Sequence, residues 1–385
     1  MNSLLLILSH KRYFAPAWVF ASLNIMIGTW VLYIPRVKEK LALDDGEIGI
    51  ALFCLGLGTL TSLTIASKVI KKLGVGRATI IGIIVFALLF LFPLVAASYI
   101  LLCAALFLVG IFSCFTDISM NALVSDLETE DEVHIMSSSH GFFSIGGAIA
   151  AAVGYFIIDY VEVPAYHMAG AAVFVILTNL ILAKNYIKIT TPVDESHGKI
   201  KLGLLKPLFG LTIIALIIMG SEGAIEQWSK MYLEDVVAVG TEKMAGMGFL
   251  MFSLFMAIGR FFGDGVSKRF GAIKVIISGC ALAFLGYVGV LLGTTISAIT
   301  GFAIIGLGFS VVIPELLRLA GKAKGVSSAD GISFVAGAGF VGFLASPALV
   351  GFLADMSSLK LSFMVLAFGT LLALVAGITL SRKRN

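Results

Sequence analysis

The sequence predicts an all-α polytopic membrane protein with twelve transmembrane helices. Of its 385 residues, 59% are hydrophobic and 13% are charged, whereas a soluble globular chain carries about 25% charged residues. The chain also contains twelve runs that approach the ~20 predominantly apolar residues a spanning helix needs. They are centred roughly on 14–35, 47–67, 77–97, 99–123, 137–158, 165–186, 207–229, 244–264, 272–292, 297–317, 328–351 and 360–380.

One polar stretch divides these runs into two sets of six. It covers residues 188–206, reads KITTPVDESHGKIKLGLLK, and lies between the sixth and seventh runs. We therefore expect an N-terminal six-helix bundle over 1–187, a linker over 188–206 and a C-terminal six-helix bundle over 207–385.

The positions of Lys and Arg predict the orientation. If the N-terminus lies inside, 21 of the 27 basic residues fall at cytoplasmic ends, and the other six are Arg36, Lys38, Lys40, Lys230, Lys243 and Lys360. Cytoplasmic loops carry an excess of Lys and Arg. We therefore expect both termini and the linker in the cytoplasm. One predicted cytoplasmic loop is acidic: residues 126–132, DLETEDE. It is either a solvated loop or an electrostatic latch that faces basic segments.

The two halves also repeat each other weakly. Gly74 follows the second run and Gly271 follows the eighth, and aligning these two glycines also aligns the basic segments that precede them. Gly110 of the fourth run then pairs with Gly306 of the tenth. Internal repeats of this kind are typical of transporters whose site lies between the halves.

Glu222 and Glu226 place two carboxylates inside the seventh apolar run. Four residues apart on a helix, they share one face with Lys230. A charge in hydrocarbon costs at least ~2.5 kcal/mol, so Glu222 is expected to carry protons or contact substrate in a cavity, or else to form a structural hydrogen bond. Glu226 is expected nearer the interface, where it reaches water or pairs with Lys230.

A second set of polar residues lies near the predicted cytoplasmic ends of the helices. Asp117 is either a proton site or a gating residue, and the others are expected to gate or to stabilise packing: Asn121, His140, Arg260, Asp264 and Glu315. Histidine changes its charge near neutral pH, so His140 either titrates or serves a structural role. Arg260 and Asp264 are spaced i, i+4 and are expected to form an intrahelical ion pair.

The whole chain resembles the major facilitator superfamily. The segment 67–77, SKVIKKLGVGR, keeps the second glycine and the basic residues of the family motif G-x-x-x-D-x-x-G-R-[KR], although Lys71 replaces its Asp and Ser67 its first Gly. The stretches DISMNA (117–122), HGFFSIGG (140–147) and EGAIEQWS (222–229) are most similar to bacterial fucose-permease-like carriers. The resemblance implies the fold of that superfamily, with two pseudo-symmetric six-helix bundles, in the inner membrane of a bacterium.

This resemblance implies a secondary active transporter that works by alternating access. A small polar solute, sugar-like if the branch is right, is the expected cargo, and protons are the expected coupling ion. The first helix lines the pore in this family, so a sugar-like site would use amide, carboxylate and aromatic groups: Asn24, Trp30, Glu222, Glu226 and Trp228.

Two other functions stay open. The 29 Phe and 13 Met residues would also suit the adaptable apolar cavity of a proton/drug antiporter. Loss of the motif Asp at position 71 would suit a non-transporting membrane sensor.

Enzymatic chemistry is not expected. The match of 337–342, GAGFVG, to G-x-G-x-x-G lies inside a predicted helix with no preceding strand, so it is not a dinucleotide site. There is no P-loop and no metal-ligand spacing among the four cysteines. We therefore expect no cofactor, no metal and no nucleic-acid partner, and a monomer surrounded by lipid.

Overall fold

A computed structural model describes residues 3–190, 205–323, 326 and 328–384. Every regular element within these ranges is helical, and none is a strand. Twelve helices in the described residues are long and apolar enough to cross a membrane. The all-α polytopic fold predicted from composition is confirmed. The chain divides into two compact units, Met1–Glu195 and Ser196–Asn385.

The first unit contains six long helices. They are α1 (Lys11–Val31), α2 (Asp45–Leu73), α3 (Val75–Leu89), α4 (Tyr99–Asp131), α5 (Met136–Ile157) and α6 (Pro164–Ala183). Shorter helices cover Ser3–Ser9, Ile34–Leu41 and Leu91–Val95, with a 3-10 turn at Ile158–Tyr160. Helix α1 packs on α5 and α6, α2 packs on α4, and α3 packs on α4 and α6.

The second unit repeats this arrangement. Its long helices are α7 (Leu205–Asp235), α8 (Met247–Phe270), α9 (Ala272–Leu291), α10 (Thr295–Phe309), α11 (Ser328–Met356) and α12 (Leu359–Arg384), with short helices at Glu242–Ala245 and Val312–Ala320. Helix α7 packs on α11 and α12, α8 on α10, and α9 on α10 and α12. Each of these pairs corresponds to a pair in the first unit, six helices earlier.

Glycine allows the closest of these helix contacts in both units. A Cβ added to Gly110 of α4 would lie 1.9 Å from the carbonyl oxygen of Leu55 on α2. A Cβ added to Gly306 of α10 would lie 2.2 Å from the carbonyl oxygen of Phe252 on α8. Membrane helices approach closely where small residues face each other. Gly110 and Gly306, which are aligned by the sequence repeat, therefore make equivalent contacts in the two units.

The turns after α2 and α8 also have the same backbone conformation. Gly74 has φ 81° and ψ 146°, and Gly271 has φ 84° and ψ 150°. Glycine adopts positive φ readily because it lacks a Cβ. The repeat read from the sequence thus extends to the local geometry of the connecting turns.

Prolines explain three interruptions in the helices. Pro35 and Pro93 have no N–H to donate to the carbonyl groups of Val31 and Leu89, which are the last residues of α1 and α3. Pro314 similarly leaves the carbonyl of residue 310 without its helical donor, next to the end of α10. In the third and tenth predicted runs a second helix continues the span after the break, so these two runs are broken helices. The first span instead ends at Val31, and the short Ile34–Leu41 helix follows it.

The acidic stretch 126–132 is not a loop. Helix α4 continues to Asp131, so all but the last of these residues are helical. Arg12 of α1 donates from Nε to Asp131 Oδ2 at 2.7 Å, and its Nη2 lies 2.9 Å from Glu130 Oε2. The solvated-loop interpretation was therefore wrong, because these carboxylates hold the end of α4 against the start of α1. The predicted bounds 1–187, 188–206 and 207–385 stay a prediction, since most of the linker lies outside the described residues.

Candidate functional site

The polar centre of the second unit is an ion pair between α7 and α8. Arg260 Nη2 lies 3.0 Å from Glu222 Oε1, and the two side chains are 17% and 12% exposed. Helix α7 is continuous through Glu222. Its Gly223 allows α11 to approach, because an added Cβ would lie 2.8 Å from the carbonyl oxygen of Phe343. No partner for Glu222 is apparent in the sequence. In the structure its partner is Arg260, which lies 38 residues later in the chain, on α8.

Glu226 lies one turn beyond Glu222 and is only 5% exposed. No hydrogen bond or ion pair joins its carboxylate to another described side chain, although it interacts electrostatically with both Glu222 and Arg260. The predicted access to water is wrong. The cluster therefore holds two carboxyl groups and one guanidinium, and a single positive charge cannot neutralise both carboxylates.

Lys230 is engaged elsewhere. Its side chain is fully buried, and Nζ lies 2.7 Å from Glu242 Oε1 and 3.5 Å from Glu234 Oε1. It thereby ties the end of α7 to the short helix before α8. The expected pairing of Glu226 with Lys230 is not what the structure shows, because the ammonium group lies among other carboxylates.

The other two predicted gating residues of the second unit are Glu315 and Asp264, and no described contact joins either of them to this cluster. Glu315 is buried and pairs with Arg318 one turn later, with Oε1 3.0 Å from Nη1. The side chain of Asp264 lies outside those that the structure describes, so its predicted ion pair with Arg260 stays a prediction.

The first unit has its own polar cluster, which joins α4 to α5. Asn121 Nδ2 donates to Asp117 Oδ1 at 3.1 Å, and Asn121 Oδ1 lies 3.1 Å from His140 Nε2. The ring of Phe20 on α1 meets the His140 ring edge-on, with centroids 5.0 Å apart. The structure therefore brings together the three residues that the sequence placed at similar depth. Asn121 is the bridge, since its amide contacts both titratable groups.

Asn24 and a second buried asparagine, Asn179, connect helices of the first unit. Asn24 Nδ2 donates to the carbonyl of Phe143 on α5 at 3.0 Å, while its buried Oδ1 has no partner among the described residues. Asn179 Nδ2 donates to Ser22 Oγ at 2.7 Å and to the carbonyl of Val175. Asn24 thus keeps an acceptor available, and Asn179 couples α6 to α1.

Both tryptophans proposed as substrate contacts are buried. Trp30 and Trp228 are 1% and 0% exposed, and neither Nε1 has a hydrogen-bond partner among the described residues. Trp30 packs near Phe90, with ring centroids 6.5 Å apart. An indole that contacts substrate must become accessible, so both roles stay predictions.

The sequence did not predict the contact of Arg260 with Glu222. The i, i+4 spacing of Arg260 to Asp264 indicates a partner on its own helix, and no periodicity relates it to α7. No group of three or more potential metal ligands occurs within the described residues. Each unit therefore has its own polar cluster: carboxyl and guanidinium groups on α7 and α8 in the second unit, and carboxyl, amide and imidazole groups on α4 and α5 in the first.

Comparison with known proteins finds one matching family model and related membrane proteins. A family model described as Major Facilitator Superfamily matches residues 16–329. An uncharacterised transporter of Sinorhizobium fredii is 31% identical over 92% of this chain and 94% of its own length. The membrane protein MosC of Rhizobium meliloti is 26% identical over 96% of this chain and 90% of its own.

Solved structures share the fold. The nucleoside transporter NupG matches 98% of this chain and 99% of its own with a TM-score of 0.71 at 13% identity. A bacterial homologue of the human lysosomal transporter Spinster, inward-facing and occupied, matches 96% of each chain with a TM-score of 0.68 at 14% identity. At such identities the likeness concerns the fold alone.

Proposed function

Because the chain belongs to the Major Facilitator Superfamily, we propose that it is a proton-coupled secondary transporter that works by alternating access. Members of this family are transporters and not enzymes, and they move small-molecule solutes across membranes. The proposed cargo is a small polar solute, and a sugar-like one is favoured by the sequence resemblance to fucose-permease-like carriers.

The observation that carries the coupling is the cluster of Glu222, Glu226 and Arg260. With both carboxyl groups ionised the cluster would hold one uncompensated negative charge, and an unpaired charge away from water is costly. A proton on Glu226 removes that charge. The Glu222–Arg260 pair is already neutral, so it can hold its geometry while Glu226 changes protonation.

We therefore propose Glu226, rather than Glu222, as the main proton carrier. Glu222 stays a candidate, because Arg260 could exchange between the two carboxylates when Glu226 loses its proton. Asp117, bridged to His140 by Asn121, is the candidate proton or gating site of the first unit. A proton that moves inward down the membrane potential supplies about 2.3 kcal/mol per 100 mV, which can drive solute accumulation.

Transport assays in proteoliposomes test the coupling. We expect an imposed pH gradient to drive solute uptake by the unmodified protein, and Glu226→Gln to abolish this uptake while solute exchange at equal pH continues. Glu39→Gln, at an exposed carboxylate of the Ile34–Leu41 helix, is the matched control and is expected to transport normally. Uptake driven by pH in Glu226→Gln at the control rate would refute the proton role of this residue.

A panel of sugars, sugar acids, amino acids and hydrophobic dyes tests the cargo. We expect a polar member to be transported and to raise the thermal midpoint of the purified protein. Transport of dyes alone would support the drug antiporter instead. If no member is transported or stabilises the protein, a sensor becomes the better explanation.

We also propose a bacterial inner-membrane location with both termini in the cytoplasm. The support is the predicted excess of Lys and Arg at those helix ends. A fluorescent-protein fusion after Arg384 is expected to be fluorescent, and an alkaline phosphatase fusion at the same point to be inactive. The opposite result would reverse the orientation.

A further inference from the structure

The first unit contains a polar cavity at one end of its bundle that the transport mechanism does not use. Its volume is about 590 Å³, and its lining includes Arg12, Glu130, Lys184, Tyr186, Lys188 and Thr190. Small-molecule sites commonly span ~300–1,000 Å³. The cavity is therefore large enough for an esterified phosphate group.

The charges of this cavity favour an anion. Arg12 is already paired with Glu130 and Asp131. Lys184 and Lys188, by contrast, have no ion-pair partner among the described residues, and both are exposed. Two lysines that have no ion-pair partner in the described part of the chain therefore line the same cavity, and ammonium groups bind phosphate as point charges.

The wall that carries these groups is held in place by backbone contacts. Gly76 N donates to the carbonyl of Ile189 at 3.1 Å, which fixes the segment after α6 against the start of α3. A Cβ on Gly76 would lie 2.2 Å from the carbonyl of Tyr186, so only glycine fits there. Lys184 and Lys188 are thus presented by an ordered segment.

The position of the cavity favours a lipid headgroup as the source of the phosphate. The start of α1, the end of α4 and the end of α6 meet here, at the boundary of the apolar spans. Lipid headgroups lie at that level, and basic pockets between helix ends bind anionic headgroups. We propose that this cavity binds the phosphate of an anionic phospholipid headgroup, held by Lys184 and Lys188.

Lipid binding to the purified full-length protein tests this proposal. After delipidation, the protein is titrated with phosphatidylglycerol, with phosphatidylcholine, or with inorganic phosphate, and bound lipid is measured by native mass spectrometry alongside the thermal midpoint. We expect phosphatidylglycerol to bind more tightly than phosphatidylcholine and to raise the thermal midpoint. Lys184→Gln/Lys188→Gln is expected to weaken phosphatidylglycerol binding about tenfold.

The matched control is Lys68→Gln/Lys72→Gln, which removes the same charge from exposed positions near the end of α2. We expect its phosphatidylglycerol affinity to stay within twofold of the unmodified protein. An equal loss in both double variants, or no loss in either, would overturn the site. Stabilisation by inorganic phosphate that requires Lys184 and Lys188, without a preference for phosphatidylglycerol, would overturn the lipid assignment and identify a soluble phosphate ligand.

Discussion

Arg260 of α8 donates to Glu222 of α7 at 3.0 Å, and both side chains are largely removed from water. The pair joins the helix that begins the second unit to its neighbour and leaves Glu226 as the uncompensated acid. Breaking a buried ion pair from one side is strongly destabilising, because the remaining charge is left without a partner.

Removal of the guanidinium is therefore expected to destabilise the protein. We predict that Arg260→Gln lowers the unfolding free energy by about 3 kcal/mol, the lower end of the usual range because some exposure remains. Thermal unfolding of the detergent-solubilised protein measures this effect. Arg269→Gln at the exposed end of α8 is the control, and Glu222→Gln/Arg260→Gln should recover most of the loss. If the double variant is as unstable as Arg260→Gln, the unpaired carboxylate of Glu222 is not the cause of the destabilisation.

The buried ammonium group of Lys230 is also predicted to contribute to the unfolding free energy, as the guanidinium of Arg260 does. Lys230→Met leaves Glu234 and Glu242 close together without a cation, and we expect a loss of about 2–3 kcal/mol, reduced because both acids keep some contact with water. The same measurement on Lys360→Met, an exposed lysine, should show little change. Adding Glu242→Gln to Lys230→Met should restore part of the stability, and a further loss would contradict this account.

Asn121 is predicted to couple Asp117 to His140. A double-mutant cycle with Asp117→Asn and His140→Ala should give an interaction energy of about 0.5–1.5 kcal/mol, in the range for residues within one hydrogen-bond network. In an Asn121→Ala background the two substitutions should become additive, because the bridging amide is gone. A coupling energy that survives this change would show that the two groups interact without the bridge.

The close approach of α2 and α4 is predicted to depend on Gly110. Gly110→Ala places a methyl group against the carbonyl of Leu55, and overpacking of this kind costs about 1–3 kcal/mol. Gly170→Ala in α6 is the matched control, since nothing lies within 4 Å of its added Cβ, and it should be neutral or gain up to ~1 kcal/mol from helix propensity. Equal thermal midpoints for the two variants would contradict the close-packing account.

The sequence by itself determined the class of protein, the twelve spans and the family. Apolar runs of spanning length are a local property, so they can be counted without knowing any contact. The glycine pairs Gly74 with Gly271 and Gly110 with Gly306 were likewise readable from a linear alignment. The residues of the first-unit cluster were also found, because Asp117 and Asn121 share a helix face by spacing alone.

Only the tertiary structure decided which charges meet. Glu226 was expected to reach water or Lys230, yet it is buried beside Glu222 and Arg260, while Lys230 lies among Glu234 and Glu242. Residues 126–131 looked like a loop until Arg12 of another helix was seen to pair with their carboxylates. Such partners depend on how each helix is rotated and how deeply it sits against its neighbours, and packing between helices fixes both quantities.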